Sequence, residues 1–234
     1  MQTLTTTPQH SWPAHAAAPN THKSVWSLMQ RHLRTFAGLS VCDLPCGAGL
    51  FSQRLAEAGM QVTSVDIEAV EPFRADPARR ILANANERLP FDDGQFDVMV
   101  SIEGIEHLEN PTYFLRECSR VVKPGGWIFL STPNVDSLRS RRYAFVYGHH
   151  KFFHPKADGS KDSGHLLPVD MAFVRHAVGK IGLEVVDVGV NEIRGRTLVK
   201  EWLRPILTRK LPDFLKGEIP FYGDVIIYAM RKPA

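Results

Sequence analysis

Residues 41–66 read VCDLPCGAGLFSQRLAEAGMQVTSVD, and this stretch decides the fold. A short apolar strand ends at Asp43, a turn with Gly47 and Gly49 follows, and the next residues show the apolar spacing of a helix. A second strand then alternates and stops at Asp66. A strand, a glycine turn, a helix and a second strand in this order predict the opening unit of an α/β protein.

The turn between the first strand and the helix can bring backbone close to a ligand. Gly47 and Gly49 can take positive φ or leave room where a Cβ would collide, and the helix presents unpaired N–H groups at its start. An acidic residue at the end of the second strand, here Asp66, can accept hydrogen bonds from both ribose hydroxyls. The stretch therefore indicates a nucleoside-containing cofactor, and an ordinary tight turn of an α/β protein is the alternative.

Two familiar nucleotide signatures do not fit the turn. Its pattern is D-x-P-x-G-x-G, on which the G-x-G-x-x-G fingerprint of dinucleotide sites cannot be laid. The Lys-Ser or Lys-Thr pair of a phosphate-binding P-loop is also missing. The turn therefore favours a cofactor other than a dinucleotide or a nucleoside triphosphate.

Three segments of the chain resemble successive motifs of the class I S-adenosylmethionine-dependent methyltransferases. They are DLPCGAGLF (43–51), NANERLPFDDGQFDVMVSIEGIEHLENP (84–111) and VVKPGGWIFLSTPN (121–134). The resemblance extends over roughly residues 25–193 plus a last strand, and it is strongest to the E-x-x-E-H subfamily. That subfamily includes ubiquinone-biosynthesis O-methyltransferases and many small-molecule or sugar methyltransferases. The implied fold is α/β: a Rossmann-like, seven-stranded, mostly parallel sheet flanked by helices, with an antiparallel last strand.

The resemblance implies S-adenosyl-L-methionine as the cofactor. The residues expected to bind it follow the first four strands: Asp43, Pro45, Cys46, Gly47 and Gly49; Asp66 and Ile67; Asn84 and Ala85; and Ser101, Ile102 and Glu103. Asn84 stands where the family carries an acidic residue that accepts from the adenine amine. An amide oxygen can accept the same hydrogen bond.

Glu103, Glu106 and His107 form a polar cluster after the fourth strand. If this stretch is helical, their spacing puts all three on one face. Three interpretations stay open: the cluster holds a divalent metal, as in some ubiquinone-pathway relatives; His107 is a general base; or the cluster anchors the loop. We do not expect a metal. His165, whose Gly-His pair resembles one in the relatives, is a second candidate for the proton acceptor.

The ends of the chain differ from its centre in composition. Residues 1–23 are rich in Thr, Pro, Ala and His without periodicity, which predicts a flexible tail. Residues 24–234 are predicted to form the methyltransferase domain. It should begin with an amphipathic helix over 24–36, for which Ser24 is the expected N-cap.

Two insertions are predicted within that domain. The first, 134–168, mixes basic and aromatic residues, and it is expected either to shape the acceptor pocket or to pack as a surface excursion. The second, 194–220, contains a basic amphipathic stretch at 197–211. That stretch could contact a membrane surface or dock on the domain as helices.

The whole chain has 234 residues, a net charge of +3 and 44% hydrophobic residues, which is ordinary for a soluble globular protein. The charge is too small to indicate nucleic acid, and no apolar run approaches the roughly 20 residues that span a bilayer. No signal peptide is visible, and Cys42, Cys46 and Cys118 form no CxxC pair. We therefore expect a cytoplasmic protein, of an oligomeric state that the sequence does not indicate.

The implied reaction is transfer of a methyl group from the sulfonium of S-adenosylmethionine to a nucleophile. We expect O-methylation of a small molecule or glycan, with His107 or His165 taking the proton. Two alternatives stay open: N-methylation of an amine, and a non-catalytic S-adenosylmethionine-binding partner of another enzyme.

Overall fold

The computed structural model describes residues 17–153, 164–191 and 222–234. Within these ranges seven strands form one sheet: β1 Ser40–Asp43, β2 Gln61–Asp66, β3 Arg80–Leu82, β4 Phe96–Ile102, β5 Val122–Pro133, β6 Glu184–Val190 and β7 Val225–Arg231. Their order across the sheet is β3-β2-β1-β4-β5-β7-β6. β7 runs antiparallel to both of its neighbours, and the other paired strands are parallel.

β4 shows why this sheet forms. Its sequence FDVMVSI is buried along nearly its whole length, and Val98, Met99 and Val100 are fully excluded from solvent. A strand that is apolar on both faces is typical of a parallel sheet covered by helices on both sides. The predicted fold class is confirmed, and β2 ends at Asp66 as predicted.

Helices cover both faces of the sheet. They are α1 Thr21–His32, α2 Leu50–Glu57, α3 Pro111–Val121, α4 Leu138–Tyr147 and α5 Met171–Lys180. Leu28 of α1 and Leu55 of α2 belong to one buried apolar cluster, and Leu115 of α3 and Val174 of α5 belong to the other. α1 and α2 therefore pack on one face, and α3 and α5 pack on the opposite face.

The first helix differs from the prediction. α1 begins at Thr21 with Asn20 as N-cap and ends at His32, so Ser24 lies within the helix and not at its cap. Thr21 and His22 are buried, although their polar character disguises the start of the helix in the sequence. Residues 17–23 thus belong to the folded body, which corrects the predicted boundary of the tail.

The two predicted insertions are described only in part. The first contains α4, but residues 154–163 lie outside the described ranges. The basic stretch 197–211 lies wholly outside them, and so do residues 1–16 of the predicted tail. Among the helices that are described, none is both long and apolar enough to cross a membrane.

Candidate active site

A cleft of about 840 Å³ opens at the carboxyl ends of the central strands. β1 pairs with β2 on one side and with β4 on the other, so the chain reverses its direction of travel across the sheet at β1. Such a switch point is where open α/β sheets bind ligands. Most predicted site residues line this cleft: Asp43, Pro45, Cys46, Gly47, Asp66, Ile67, Asn84, Ala85, Ile102, Glu103, His107 and His165.

Asp66 closes the glycine turn. Its Oδ2 accepts a hydrogen bond of 2.7 Å from the backbone N–H of Gly47, and its Oδ1 accepts one of 2.8 Å from the N–H of Ile67. Gly47 has φ +50, a value that favours glycine. The tip of β2 and the turn after β1 are thereby fixed against each other, with the Asp66 carboxylate facing the cleft.

Gly49 is placed differently from the prediction. It is the N-cap of α2 with φ +76, and a Cβ there would lie 2.6 Å from the ring of Phe73. The Phe73 ring in turn lies under the guanidinium of Arg80, 4.6 Å from it. Phe73 thus covers the start of α2, where a dinucleotide-binding fold would place the pyrophosphate. Gly49 serves this packing and does not line the cleft.

Acidic side chains set the charge of the cleft. Asp43, Asp66, Glu68 and Glu103 line it, and none of its described lining residues is Lys or Arg. Such a lining favours a cationic ligand, such as a sulfonium with an ammonium group, and it disfavours a diphosphate. The charge therefore agrees with the sequence-based exclusion of dinucleotides.

Asp43 lies at the base of the cleft. It is 1% exposed, and one of its oxygens accepts a hydrogen bond from the Ser52 hydroxyl. Burial raises the pKa of Asp43 to about 7, and the nearby charge of Asp66 raises it further, against the lowering effect of Ser52. A carboxyl group of this pKa can ionise near neutral pH, and a bound cation favours its charged form.

Asn84 lies at the β3 side of the cleft. Its Oδ1 accepts from the N–H of Asn86 at 3.0 Å, and its Nδ2 donates to Glu87 at 3.0 Å. An amide oxygen has a second lone pair, so Asn84 can still accept from a ligand. Ser101, by contrast, is fully buried and is not among the residues that line the cleft, and its contact with the cofactor stays a prediction.

Glu103 ties the start of α1 to the end of β4. Its Oε2 accepts a 2.8 Å hydrogen bond from the N–H of Ala18, and its own N–H donates to the backbone oxygen of Ser131 at 3.1 Å. Glu103 has φ +49, which a non-glycine residue rarely adopts. Burial raises the pKa of its carboxyl group, with the Ala18 hydrogen bond opposing the shift.

The predicted helical face of Glu103, Glu106 and His107 does not form. Residues 105–107 make a single 3₁₀ turn, and the left-handed backbone at Glu103 turns that residue away from the other two. Glu106 is fully buried, and its Oε2 accepts from the hydroxyl of Thr132 at 3.1 Å. Burial raises the pKa of Glu106 to about 8.

His107 and His165 meet at the rim of the cleft. Their rings pack edge to face with centroids 4.8 Å apart. Nδ1 of His107 lies 2.9 Å from the carbonyl oxygen of Gly164, and Nδ1 of His165 lies 3.0 Å from that of Phe152. A carbonyl can only accept, so each Nδ1 carries a proton and each neutral ring has its lone pair at Nε2. In each ring Nε2 is therefore the nitrogen that could accept a proton.

A different trio could hold a metal. One ligand atom from each of Glu106, His107 and His165 lies within 4.8 Å of the others, whereas the Glu103 carboxylate accepts from Ala18. Glu103, considered with Glu106 and His107 as one interpretation of the sequence, is therefore not part of this group, and His165 takes its place. A carboxylate with two imidazoles suits Zn²⁺ better than Mg²⁺, which prefers oxygen ligands.

Sequence reasoning missed several residues of the cleft, and His22 is the main one. It lies in the first turn of α1, 9% exposed, with its ring 5.2 Å from that of Phe51. Burial lowers the pKa of His22 to about 4. The Pro19-Asn20 pair, with Asn20 as an N-cap type, is the sequence signal that marks this helix start. Ala17, Leu44 and Phe114 also line the cleft.

Residues 42–130 match the methyltransferase domain family. With the sheet order and the cleft, this match shows that the chain carries a class I methyltransferase domain, whose cofactor is S-adenosyl-L-methionine. The predicted family resemblance and the predicted cofactor are therefore confirmed.

The chain is similar to two bacterial ubiquinone biosynthesis O-methyltransferases. It is 38% identical to that of Pseudomonas paraeruginosa (strain DSM 24068 / PA7) over 109 residues, which cover 42% of this chain and 46% of the relative. It is 37% identical to that of Caulobacter vibrioides (strain ATCC 19089 / CIP 103742 / CB 15) over 107 residues, which cover 42% of each protein. The chain thus spans less than half the length of these curated relatives.

Solved structures share the fold across nearly the whole chain. A SAM-dependent methyltransferase from Archaeoglobus fulgidus has a TM-score of 0.61 at 21% identity, covering 91% of this chain and 95% of the other. The [4+2]-cyclase SpnF has a TM-score of 0.59 at 17% identity, covering 95% and 84%. These likenesses show the fold alone, since one fold can carry different reactions.

Proposed function

We propose that this protein transfers a methyl group from S-adenosyl-L-methionine to a hydroxyl group of a small molecule or glycan. The observation that carries the proposal is that one cleft contains both the glycine turn closed by Asp66 and the imidazole pair of His107 and His165. The turn suits the donor, and the pair suits the acceptor. The bacterial relatives are named O-methyltransferases, which supports transfer to oxygen.

The donor would lie across the tips of β3, β2, β1 and β4. Asp66 would accept from the ribose hydroxyls and Asn84 from the adenine amine, while Asp43 and Glu103 would face the positive groups. When bound, the cofactor supplies a methyl group activated by its sulfonium. The chain then holds donor and acceptor in line, and such alignment can contribute about 7–11 kcal/mol to lowering a barrier.

A hydroxyl group also needs a base, because its neutral form is a weak nucleophile. The Nε2 atoms of His107 and His165 are the proton acceptors that the geometry offers, since each Nδ1 is occupied by a backbone carbonyl. We assign the base to this pair without ranking its two members. Glu106 lies behind them and supports the turn that carries His107.

The cleft that contains the two imidazoles also has apolar lining residues. Leu108 and Phe114 line it, and the ring of Phe153 lies 5.2 Å from that of His165. Aromatic walls of this kind suit a flat ring or the apolar face of a sugar. They support a ring-bearing hydroxyl as the methyl acceptor.

The test is a methyl-transfer assay over phenols, sugars and amines at saturating cofactor, with S-adenosylhomocysteine as the measured product. We expect transfer to a hydroxyl compound. The double variant H107Q/H165Q, and the single variant that removes the base, should lose about 100- to 10,000-fold in rate. H176Q changes an exposed histidine of α5 and should behave as the wild type.

Other outcomes would select the alternatives. Transfer to amines that survives both histidine substitutions would indicate N-methylation. Tight cofactor binding without transfer to any acceptor would indicate a non-catalytic partner protein. Loss of activity on treatment with a chelator, with recovery on adding Zn²⁺, would assign a metal to Glu106, His107 and His165, which the proposal does not require.

We further propose that the reaction takes place in the cytoplasm. The support is that Cys42, Cys46 and Cys118 are all buried free thiols, as is usual in a reducing compartment. Contact of 197–211 with a membrane surface stays a sequence-based proposal, which flotation with liposomes of the whole chain and of a chain lacking that stretch would test.

A further inference from the structure

His22 is the basic side chain at the donor end of the cleft. The described lining residues include three such groups, His22, His107 and His165, and no Lys or Arg. His107 and His165 pack on each other at the acceptor end. A ligand that carries a carboxylate beside its positive charges is therefore left with His22 as its cationic partner among the described side chains.

The position of His22 in the fold places it opposite the adenosine end. α1 packs on β5, β6 and β7, and the N–H of Ala18, just before the helix, donates to Glu103 after β4. Asp66 and Asn84 lie at the tips of β2 and β3, on the other side of β1. A cofactor with its ribose at Asp66 therefore extends its amino-acid end toward β4 and His22.

The surroundings of His22 complement a carboxylate. The ring lies in the first turn of α1, a turn with no acidic residue, so the positive end of the helix dipole adds to its attraction for an anion. Asp43 and Glu103 provide negative charge nearby for the ammonium group of the same ligand. The ammonium group of an amino acid thus meets two acidic side chains, and its carboxylate meets His22.

We propose that His22 binds the carboxylate of the cofactor's amino-acid end and takes up a proton as it does so. The inference rests on the proposed methyl-donor site. Burial keeps the pKa of His22 low, at about 4, when the cleft is empty. A carboxylate in contact raises the pKa of the imidazole, so the bound form holds a proton that the empty form lacks. Affinity therefore falls as the pH rises through the pKa of the bound state.

Other titratable groups share the cleft and must be separated from His22. They are Asp43 at the tip of β1, Cys46 in the glycine turn, Asp66 and Glu68 after β2, Glu103 after β4, and the distant His107 and His165. The elements packed directly on His22 include α2, which contributes the uncharged Phe51. Asp43 would release a proton on binding a cation, the opposite sign to the uptake by His22.

The test compares two ligands that differ only in the carboxylate: S-adenosylmethionine and its decarboxylated form. Calorimetry in phosphate and in Tris buffers at pH 7 gives the number of protons taken up by the intact chain. We expect the chain to take up more protons on binding S-adenosylmethionine than on binding the decarboxylated ligand. Its affinity should fall by up to about tenfold per pH unit across part of the range from pH 6 to 9.

His22→Gln should lower the affinity for S-adenosylmethionine about 10- to 100-fold and remove the extra proton uptake on binding. The affinity for the decarboxylated ligand should stay unchanged. His22→Arg keeps a permanent charge, so it should retain affinity without the uptake. Equal uptake for both ligands, or an unchanged uptake in His22→Gln, would overturn the proposal. Failure of the wild-type chain to bind either ligand would instead overturn the methyl-donor site itself.

Discussion

The carboxylate of Asp66 at the tip of β2 accepts a 2.7 Å hydrogen bond from the N–H of Gly47 in the turn after β1. One side chain thereby fixes the turn and lines the cleft. Asp66→Ala should lower affinity for S-adenosylmethionine about 10- to 100-fold and reduce the free energy of unfolding by about 1–3 kcal/mol, because a charged acceptor is lost. Calorimetry and urea denaturation measure the two effects. Asp92→Ala, at an exposed acidic residue outside the cleft, is the control and should change neither.

Substitution of Gly49 should lower the stability of the protein for two reasons, its positive φ and its contact with Phe73, and the two effects can be measured separately. Gly49→Ala places a Cβ 2.6 Å from Phe73 and requires φ +76, whereas Gly148→Ala requires the same φ with no atom within 4 Å. Gly148→Ala is the control and should lose about 1–2 kcal/mol of stability, because an alanine is strained at this positive φ. Gly49→Ala should lose about 1–3 kcal/mol more from overpacking. Equal losses in urea denaturation would contradict the role given to Phe73.

The buried carboxyl of Asp43 should make the empty protein less stable as the pH rises. Its pKa is raised to about 7, so the folded chain keeps the proton that the unfolded chain loses near pH 4. The stabilising contribution is full below pH 4 and is lost as the pH rises to 7. The side chain in Asp43→Asn stays neutral at every pH. The free energy of unfolding of this variant, measured relative to that of the wild type, should therefore be higher at pH 8 than at pH 4.5, by at most about 4 kcal/mol. An equal difference at both pH values, measured by urea denaturation, would disprove this.

Glu103 should control the order of the residues before α1. Removing its carboxylate in Glu103→Ala leaves the N–H of Ala18 without its acceptor, so this amide should exchange faster with solvent deuterium. Glu103→Gln keeps an acceptor oxygen and should retain most of the protection. Hydrogen exchange followed by mass spectrometry on peptides that contain residues 17–22 distinguishes them. Unchanged exchange in both variants would show that the hydrogen bond does not hold this segment.

The strands and the position of the cleft followed from local patterns. β2 and β4 carry alternating or continuous apolar residues, and their ends lead directly to Asp66 and Ile102. The tips of parallel strands meet at one edge of a sheet, so residues that follow different strands could be assigned to one site from the order of the strands alone.

What sequence reasoning missed depended on contacts between distant segments. His22 stands in a polar stretch whose burial comes from packing against α2, which periodicity does not reveal. The role of Gly49 depends on Phe73, from a segment broken by prolines. The left-handed backbone at Glu103 replaced the expected helix by a short turn, and His165 arrived from across the fold to complete the trio.

The proposed acceptor half of the cleft comes from two parts of the chain, because His107 precedes β5 and His165 follows it. The strand tips that face the donor precede residue 104, and the match to the methyltransferase domain family ends at residue 130, within β5. His165 and both carbonyls that orient the imidazoles come after β5. Evolution could therefore exchange the later segment for another and change what is methylated while leaving the donor machinery intact. A chimaera joined within β5 would transplant one protein's substrate choice onto another's cofactor site.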